Sequence, residues 1–210
     1  SFIVTLGTLF AVQGLTLGFS VLITGSTSVS LTAAPWAKAI FGTFVFGSFQ
    51  VILLWWFVLT ALYVFAVHYS PWGNWLFSMG GDKVSARNAG IPTTRLTVTL
   101  FVLSAVSACF VGMCQAILFG SAQVSGGMIF IFNCIISVVV GGVLLTGGFG
   151  SVIGIFFGTL TFAIVNQGIY FTGFDANLGS IIIGALLLIA VLTNDTFRQL
   201  ALSYSTKKKS

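Results

Sequence analysis

Long apolar runs without charge constrain this chain more than any other feature of its sequence. No Lys, Arg, Asp or Glu precedes Lys38, and none lies between Arg95 and Asp175. Apolar and polar residues do not alternate within these runs, which favours helices over the strands of a β-barrel. A mean hydropathy of +1.11 with 5% charged residues leaves too few polar groups for a water-facing exterior. We therefore predict an all-α integral membrane protein, because a helix in lipid satisfies its own backbone hydrogen bonds.

Six candidate transmembrane helices fit these runs and predict a polytopic helical bundle. They are Phe2–Thr24, Ala39–Val67, Leu96–Phe119, Gly127–Thr146, Ser151–Thr172 and Leu178–Thr193. All three prolines fall in connectors, as intact helices require: Pro35, Pro71 and Pro92. The fourth candidate contains Gly141-Gly142 and the sixth is short, so either is open to being a broken or tilted element.

The basic residues indicate how the bundle is oriented. Apart from Lys38, every Lys and Arg lies either in the connector 67–95 or in the tail 194–210. Four predicted spans separate these two regions, so both lie on the same side of the membrane. The positive-inside rule predicts that this side is the cytoplasm. Orientation also accounts for the net charge of +5, and we expect no nucleic-acid partner.

Catalytic and metal-binding patterns are missing from the sequence. The three cysteines lie in apolar runs without a CxxC or His pairing and are expected to be packing thiols: Cys109, Cys114 and Cys134. There is no GxxxxGK[ST] phosphate loop, so any ATP hydrolysis belongs to a separate chain. The three acidic residues lie in or beside connectors, which argues against paired-carboxylate chemistry in the membrane. We expect neither an enzyme nor a bound cofactor.

Small residues spaced by four predict that helix backbones approach closely. One series runs along the third span, a second along the fifth and a shorter one along the first: Ser104, Ala108, Gly112, Ala116 and Gly120; Gly150, Gly154 and Gly158; Gly14 and Gly18.

The connector between the second and third spans predicts a short helix with defined ends. Asp82 is placed to cap its start, Gly90 to adopt the left-handed conformation after its end, and Pro92 to stop its continuation. Lys83 and Arg87 are four residues apart and would share one face, available to an acidic partner. An ordinary solvated loop that obeys the positive-inside rule is the alternative.

The same connector resembles the cytoplasmic coupling loop of the ribose-type branch of bacterial ABC importer permeases. The matching residues, in the family's order, are Gly73, Gly80, Gly81, Asp82, Ala86, Arg87, Gly90 and Ile91. Two further blocks are similar to the family's motifs, "FIVTLGTLFAVQGL" at Phe2–Leu15 and "VVVGGVLLTGGFGSVIG" at Val138–Gly154. With "NQG" at Asn166–Gly168, the resemblance covers essentially the whole chain.

The resemblance implies a permease subunit that moves a monosaccharide across the bacterial inner membrane by alternating access. Its expected partners are a pair of ABC ATPase subunits, a second permease subunit (identical or different) and a periplasmic sugar-binding protein. Residues 1–194 would form the permease domain, with a coupling loop at 68–95 and a basic cytoplasmic tail at 195–210. Such permeases usually have more spans, and the chain starts abruptly at Ser1, so we expect the later part of a permease fold. The expected coupling residues are Gly73, Gly80, Gly81, Asp82, Lys83, Ala86, Arg87 and Gly90.

The sequence departs from the family pattern by losing charge. Gln13 stands where Arg is common, Asn133 where an acidic residue is common, and Asn74 where Arg is frequent. Buried charges in membranes are costly and often functional, so the losses at Gln13 and Asn133 are open to three interpretations: an altered substrate, a pseudo-symmetric partner that retains the charges, or a copy that does not transport.

A neutral sugar calls for hydrogen-bonding groups within the membrane, and amides supply them. The candidate pathway residues are Gln13, Gln50, Asn133, Asn166 and Gln167, with Gln115 as a further available amide. Asn133 and Asn166 are favoured because they flank glycine-rich segments, although each amide could equally join helices. His68 is expected to pack at the interface. Two other functions stay open: an ATPase-independent channel or secondary carrier, and an inactive structural fragment.

Overall fold

The computed structural model describes residues 2–45, 49–171, 181–182, 184–185 and 188–192. Within them the elements run α1 (Phe2–Thr24), β1 (Ser28–Ser30), α2 (Pro35–Phe41), β2 (Phe44–Val45), β3 (Phe49–Gln50), α3 (Val51–His68), α4 (Pro71–Gly81), α5 (Lys83–Asn88), α6 (Thr93–Phe119), β4 (Ser121–Gln123), α7 (Met128–Val140) and α8 (Val152–Phe171). The chain divides into two compact units, one of residues 1–58 and 97–131 and the other of residues 59–96 and 132–210.

The predicted class, an all-α membrane protein, is confirmed. Among the described residues four helices are long and apolar enough to cross a membrane: Ile3–Thr24, Val51–His68, Thr93–Phe119 and Val152–Ile169. Helix α1 has the predicted bounds, and α6 and α8 lie within three residues of theirs. The sixth predicted span lies partly outside the described residues, and its described positions, 181–182, 184–185 and 188–192, are helical.

The second predicted span is not one helix. Helix α2 ends at Gly42, whose N–H donates to the carbonyl of Lys38 at 2.7 Å, and a short antiparallel ladder pairs Phe44 with Gln50 before α3 begins. Aromatic and β-branched residues at 43–45 favour extended backbone over helix. The indole of Trp55 in α3 donates to the carbonyl of Ile40 at 3.2 Å, so α2 folds back onto α3.

The fourth predicted span is a broken element, the alternative that Gly141-Gly142 left open. Helix α7 is a 13-residue apolar helix and is followed by Gly142 at φ +79°. Backbone bonds from Gly142 to Val139 and from Val143 to Val138 close its last turn. Since 13 residues span only about 20 Å, α7 alone is shorter than the hydrocarbon core of a bilayer.

In the unit of residues 1–58 and 97–131, strands join segments that are far apart in sequence. Strand β1 follows α1 and pairs antiparallel with β4, which follows α6, with Ser28 opposite Gln123 and Ser30 opposite Ser121. The Leu31 amide extends this ladder to the carbonyl of Gly120 at 2.8 Å. The strand pairing therefore connects the C-terminal ends of α1 and α6.

In the unit of residues 59–96 and 132–210, α7 and α8 cross at glycine. A Cβ atom on Gly141 would lie 2.7 Å from the carbonyl oxygen of Gly154, and one on Gly158 would overlap the carbonyl of Ser137. The close approach predicted for Gly154 and Gly158 is thus confirmed. By contrast, a Cβ atom added to three other glycines of the predicted series would have no described atom within 4 Å: Gly14, Gly18 and Gly112. Those glycines make no such contact with the described part of the chain.

Candidate functional site

The short helix α5 begins at the predicted cap. The Asp82 carboxylate accepts hydrogen bonds from the Val84 amide at 2.9 Å and from the Ser85 hydroxyl at 2.7 Å. The Ser85 hydroxyl, and then the Val84 amide, hold the pKa of Asp82 below its ordinary value, since both bonds favour the ionised form. An ionised N-cap satisfies free amides and complements the positive end of the helix.

Helix α5 also ends as predicted, with Gly90 directly after its C-cap. The amide of Gly90 donates to the carbonyl of Arg87 at 3.0 Å, and the amide of Ile91 donates to that of Ala86 at 3.1 Å. Gly90 has φ +83°, and this pair of bonds is the Schellman arrangement that closes many helices. Both ends of the six-residue helix are therefore fixed by local hydrogen bonds.

The exposed surface of α5 is basic. Lys83 and Arg87 are both exposed, whereas Ala86 is only 3% exposed. Neither basic side chain forms a salt bridge with another described residue. The helix thus presents two free cations about one turn apart.

A further helix, α4, precedes α5 within the predicted connector. Pro71 occupies its first turn, and the amide of Asp82 closes its last turn on the carbonyl of Ser78 at 3.2 Å. The Ser70-Pro71 pair was the available signal, because Pro is favoured at the first helical position. Gly73 is buried, and a Cβ atom there would overlap the carbonyl of Val67 at the end of α3.

The end of α4 lies directly against the loop between α7 and α8. A Cβ atom on Gly80 would lie 2.6 Å from the backbone nitrogen of Gly148, and one on Gly147 would lie 2.6 Å from the carbonyl oxygen of Gly80. We call this contact of Gly80 and Gly81 with Gly147 and Gly148 the glycine contact. Gly147 and Gly148 have φ +88° and +79°, values that favour glycine at both positions. Two of the sequence blocks that suggested a family therefore meet in space.

Two further features surround the glycine contact. An apolar cavity of about 280 Å³ lies beside it, lined among others by Leu76, Phe77, Val143 and Phe149. His68, at the end of α3, accepts a hydrogen bond through Nε2 from the Val152 amide at 3.3 Å. This bond requires the tautomer with the proton on Nδ1, and it connects α3 to the first residue of α8.

The amides proposed for a pathway fall into different parts of the chain. Asn133 and Asn166 are half-buried, on α7 and α8 respectively, and Gln167 is exposed. Because Ser137 meets Gly158 and Gly141 meets Gly154, the two helices are antiparallel. Asn133 then lies level with residue 162, and Asn166 about 6 Å further along the axis.

Gln13 and Gln50 are half-buried in α1 and β3, within the other compact unit. Their placement in a pathway with Asn133 and Asn166 stays a prediction.

Residues 1–191 match the family model described as "Branched-chain amino acid transport system / permease component". The chain belongs to this permease family. No solved structure matches it.

Several curated relatives of the permease are named as sugar transport proteins. It is 30% identical to the probable ABC transporter permease protein YphD of Escherichia coli (strain K12) over 92% of this chain and 57% of that protein. It is 29% identical to the galactose/methyl galactoside import permease protein MglC of the same strain, over 99% of this chain and 60% of that protein. Identity to the ribose import permease protein RbsC of Bacillus subtilis (strain 168) is 27%, over 91% of this chain and 58% of that protein.

The permease therefore spans about three fifths of the length of these relatives. The resemblance to monosaccharide ABC importer permeases drawn from the three sequence blocks is confirmed. The short capped helix at 82–90 is confirmed as well. The roles assigned to the coupling and pathway residues remain predictions.

Proposed function

We propose that this permease belongs to an ATP-driven importer of a monosaccharide and that α5 receives the force of a separate ATPase. Its relatives are named as import permeases for galactose and methyl galactoside, fructose and ribose. A neutral solute also suits a chain with no Lys, Arg, Asp or Glu between Arg95 and Asp175, because charges within the membrane are usually reserved for charged cargo or proton coupling.

The observation that carries the proposal is the capped helix with the glycine contact behind it. Helix α5 is held at both ends by its own hydrogen bonds, so a push on it moves the helix as a body. Asp82 joins it directly to α4, and α4 meets the loop before α8 backbone to backbone at Gly80. With no side chain between the two backbones, little of the displacement is lost in rotamer changes.

Lys83 and Arg87 are the residues that would bind the ATPase. Both are exposed, and a guanidinium can bind a carboxylate through two parallel hydrogen bonds. The ATPase surface would accordingly be an acidic groove, and residues 68–95 and the basic tail would lie in the cytoplasm beneath the inner membrane. A second permease subunit and a periplasmic sugar-binding protein would complete the importer.

Within the membrane, closure at α5 would shift the α7–α8 pair and alternate the access of a sugar site to the two sides. Asn133 and Asn166 are the proposed hydrogen-bonding partners of the sugar in this pair, with Gln167, Gln13 and Gln50 as further candidates. Amides suit this role because they both donate to and accept from hydroxyl groups.

Reversing one charge on α5 tests the coupling role. We expect Arg87→Glu to lower ATP-dependent uptake of monosaccharide and to weaken co-purification of the ATPase by about tenfold, because a carboxylate would face an acidic groove. Thr94→Glu, at an exposed position in the first turn of α6, adds negative charge nearby and is the matched control. Wild-type uptake and ATPase recovery with Arg87→Glu, in permease that inserts normally, would remove α5 from the coupling path.

A second experiment separates an importer from an ATPase-independent channel. Tagged permease, purified from its native membranes, should bring down a P-loop ATPase, and vesicles containing both should accumulate sugar only with ATP. Equilibration of sugar across the vesicle membrane without ATP would indicate a channel.

A further inference from the structure

A cleft at the C-terminal end of α6 carries polar groups, of which the pathway predictions named Gln115 alone. Its volume is about 750 Å³, and its wall is formed by the last turns of α6, by β4, and by the loop that enters α7. We call it the amide cleft, after the side chains that line it together with Phe119 and Phe130: Gln115, Ser121 and Gln123. Its size is in the usual range for sites that bind small molecules.

The periodicities of helix α6 and strand β4 bring these side chains together. On α6, Gly112, Gln115, Ala116 and Phe119 all line the cleft, and their spacing of three and four puts them on one helical face. On β4, Ser121 and Gln123 are two residues apart and so project from the same face of the strand. Pairing with β1 fixes the register of β4, with Gln123 opposite Ser28.

The polar side chains of the cleft have no partners in the described part of the chain. No hydrogen bond joins the side chains of Gln115, Ser121 or Gln123 to another described residue. Amides in a membrane protein normally bond to a neighbouring helix, because an unpaired amide in an apolar setting is costly. Since Gln115 and Ser121 are half-buried and Gln123 is exposed, these three polar groups are accessible to a ligand with several hydroxyls.

We propose that the amide cleft binds a neutral monosaccharide as it enters the permease. The described residues that line the cleft include no ionisable side chain, which disfavours a charged ligand. Two amides and a hydroxyl can bond to sugar hydroxyls, while Phe119 and Phe130 offer ring faces to the apolar C–H side of a pyranose or furanose. Phe119 and Phe130 are 73% and 39% exposed, so both rings have free surface.

The position of the cleft along α6 agrees with a role in entry. Helix α6 begins at Thr93, directly after the coupling segment, and the cleft is at its other end. A 27-residue helix is about 40 Å long, enough to cross a bilayer. The inference rests on the proposed function in this respect: a cytoplasmic α5 puts the cleft on the side from which an importer takes its sugar.

Thiol labelling tests the site without requiring transport. In whole permease in which exposed Cys109 and Cys134 are replaced by Ala, Ala116→Cys puts a reactive thiol on the α6 wall of the cleft. Gly112→Cys, where an added Cβ atom has no described atom within 4 Å, supplies a second reporter one turn earlier. We expect D-galactose, D-ribose or D-fructose to slow alkylation of these variants at least threefold and D-glucuronate, which is charged, to leave it unchanged. Equal rates with and without each of the three neutral sugars, or thiols that never react because protein covers the cleft, would overturn the proposal.

Sugar uptake by the complete importer provides a second test of the cleft. Removing one hydrogen bond from the bound sugar should raise KM about three- to tenfold in Gln115→Leu and Gln123→Leu, with little change in maximal rate. Thr32→Val, at an exposed position outside the cleft, should transport as wild type. If sugars protect the thiols from alkylation but ATP drives no uptake, the cleft binds sugar and the proposed importer function is wrong. If both Gln variants show normal uptake kinetics and sugars do not protect the thiols, the proposed binding site alone is wrong.

Discussion

The glycine contact allows one substitution to be predicted in detail, Gly80→Ala. The added Cβ atom would lie 2.6 Å from the nitrogen of Gly148 and 3.3 Å from its Cα. Both atoms belong to backbone, so no side chain can rotate away, and the loop before α8 must move instead. Overpacking of this kind costs about 1–3 kcal/mol, against a gain of up to about 1 kcal/mol from replacing a helical glycine with alanine.

The neighbouring residue supplies the matched control for stability. Gly81 is also in α4, and a Cβ atom there would have no described atom within 4 Å. Gly81→Ala therefore keeps the helix gain without the overlap and should leave the unfolding temperature unchanged or slightly higher. Relative to Gly81→Ala, the helix gain cancels and Gly80→Ala bears the overpacking cost of about 1–3 kcal/mol, which corresponds to an unfolding temperature lower by about 2–12 °C for a chain of this size.

Intrinsic tryptophan fluorescence of the purified permease in detergent measures both unfolding temperatures. In vesicles with the ATPase, Gly80→Ala should also hydrolyse more ATP per sugar imported than wild type, because the loop before α8 is displaced from α4. Identical unfolding temperatures for Gly80→Ala and Gly81→Ala would refute the reasoning, since the glycine contact is the feature that separates the two positions.

Two further predictions concern the ends of α5. Gly90→Ala should destabilise this helix end by about 1 kcal/mol, because Gly90 has φ +83° and a side chain is strained there. Gly90→Asn should destabilise it less, because Asn adopts the left-handed conformation more readily than Ala. Faster hydrogen exchange at residues 83–91 in Gly90→Ala but not in Gly90→Asn would support the prediction. The depressed pKa of Asp82 means that its contribution is complete above the unfolded pKa of about 3.8 and is lost as pH falls through the lower folded value. Hydrogen exchange, corrected for intrinsic rates, measures the protection of the Val84 amide. In wild type this protection should be constant from pH 7 to 5 and fall at more acid pH, whereas in Asp82→Ala it should show no such fall. The same pH profile in both proteins would contradict the capping role.

Local chemistry made part of this fold predictable. Helix α1 followed from one long, uncharged and mostly apolar run, and its predicted bounds are those observed. The ends of α5 followed from Asp82 and Gly90, because a cap is formed by residues a few positions apart and depends little on the rest of the fold.

Long-range contacts account for most of what the sequence did not predict. The glycine spacing indicated close approach, but nothing in it specifies that Gly80 meets Gly148 while Gly112 meets no described residue. The pairing of β1 with β4 likewise depends on how α1 and α6 are arranged. The break between α2 and α3 had a local signal, aromatic and β-branched residues after Gly42, which high overall hydropathy concealed.

In the candidate site, too, the features set by neighbouring residues were predictable and those set by long-range contacts were not. The basic face of α5 could be read from the spacing of Lys83 and Arg87, because four residues are about one helical turn. The amide cleft could not, since Gln115 and Gln123 lie on a helix and a strand whose mutual placement the sequence does not give. The sequence pattern of an amide within an apolar run is the same whether the amide bonds to a neighbouring helix or to a ligand.

The ratio of sugar imported to ATP hydrolysed, measured in vesicles that contain the complete importer, tests the central claim most directly. We expect wild-type permease to accumulate a monosaccharide only with ATP and at a fixed ratio, and Arg87→Glu to import little sugar while inserting normally. Sugar accumulation that continues without ATP, or an Arg87→Glu permease with the wild-type ratio and rate, would contradict the account.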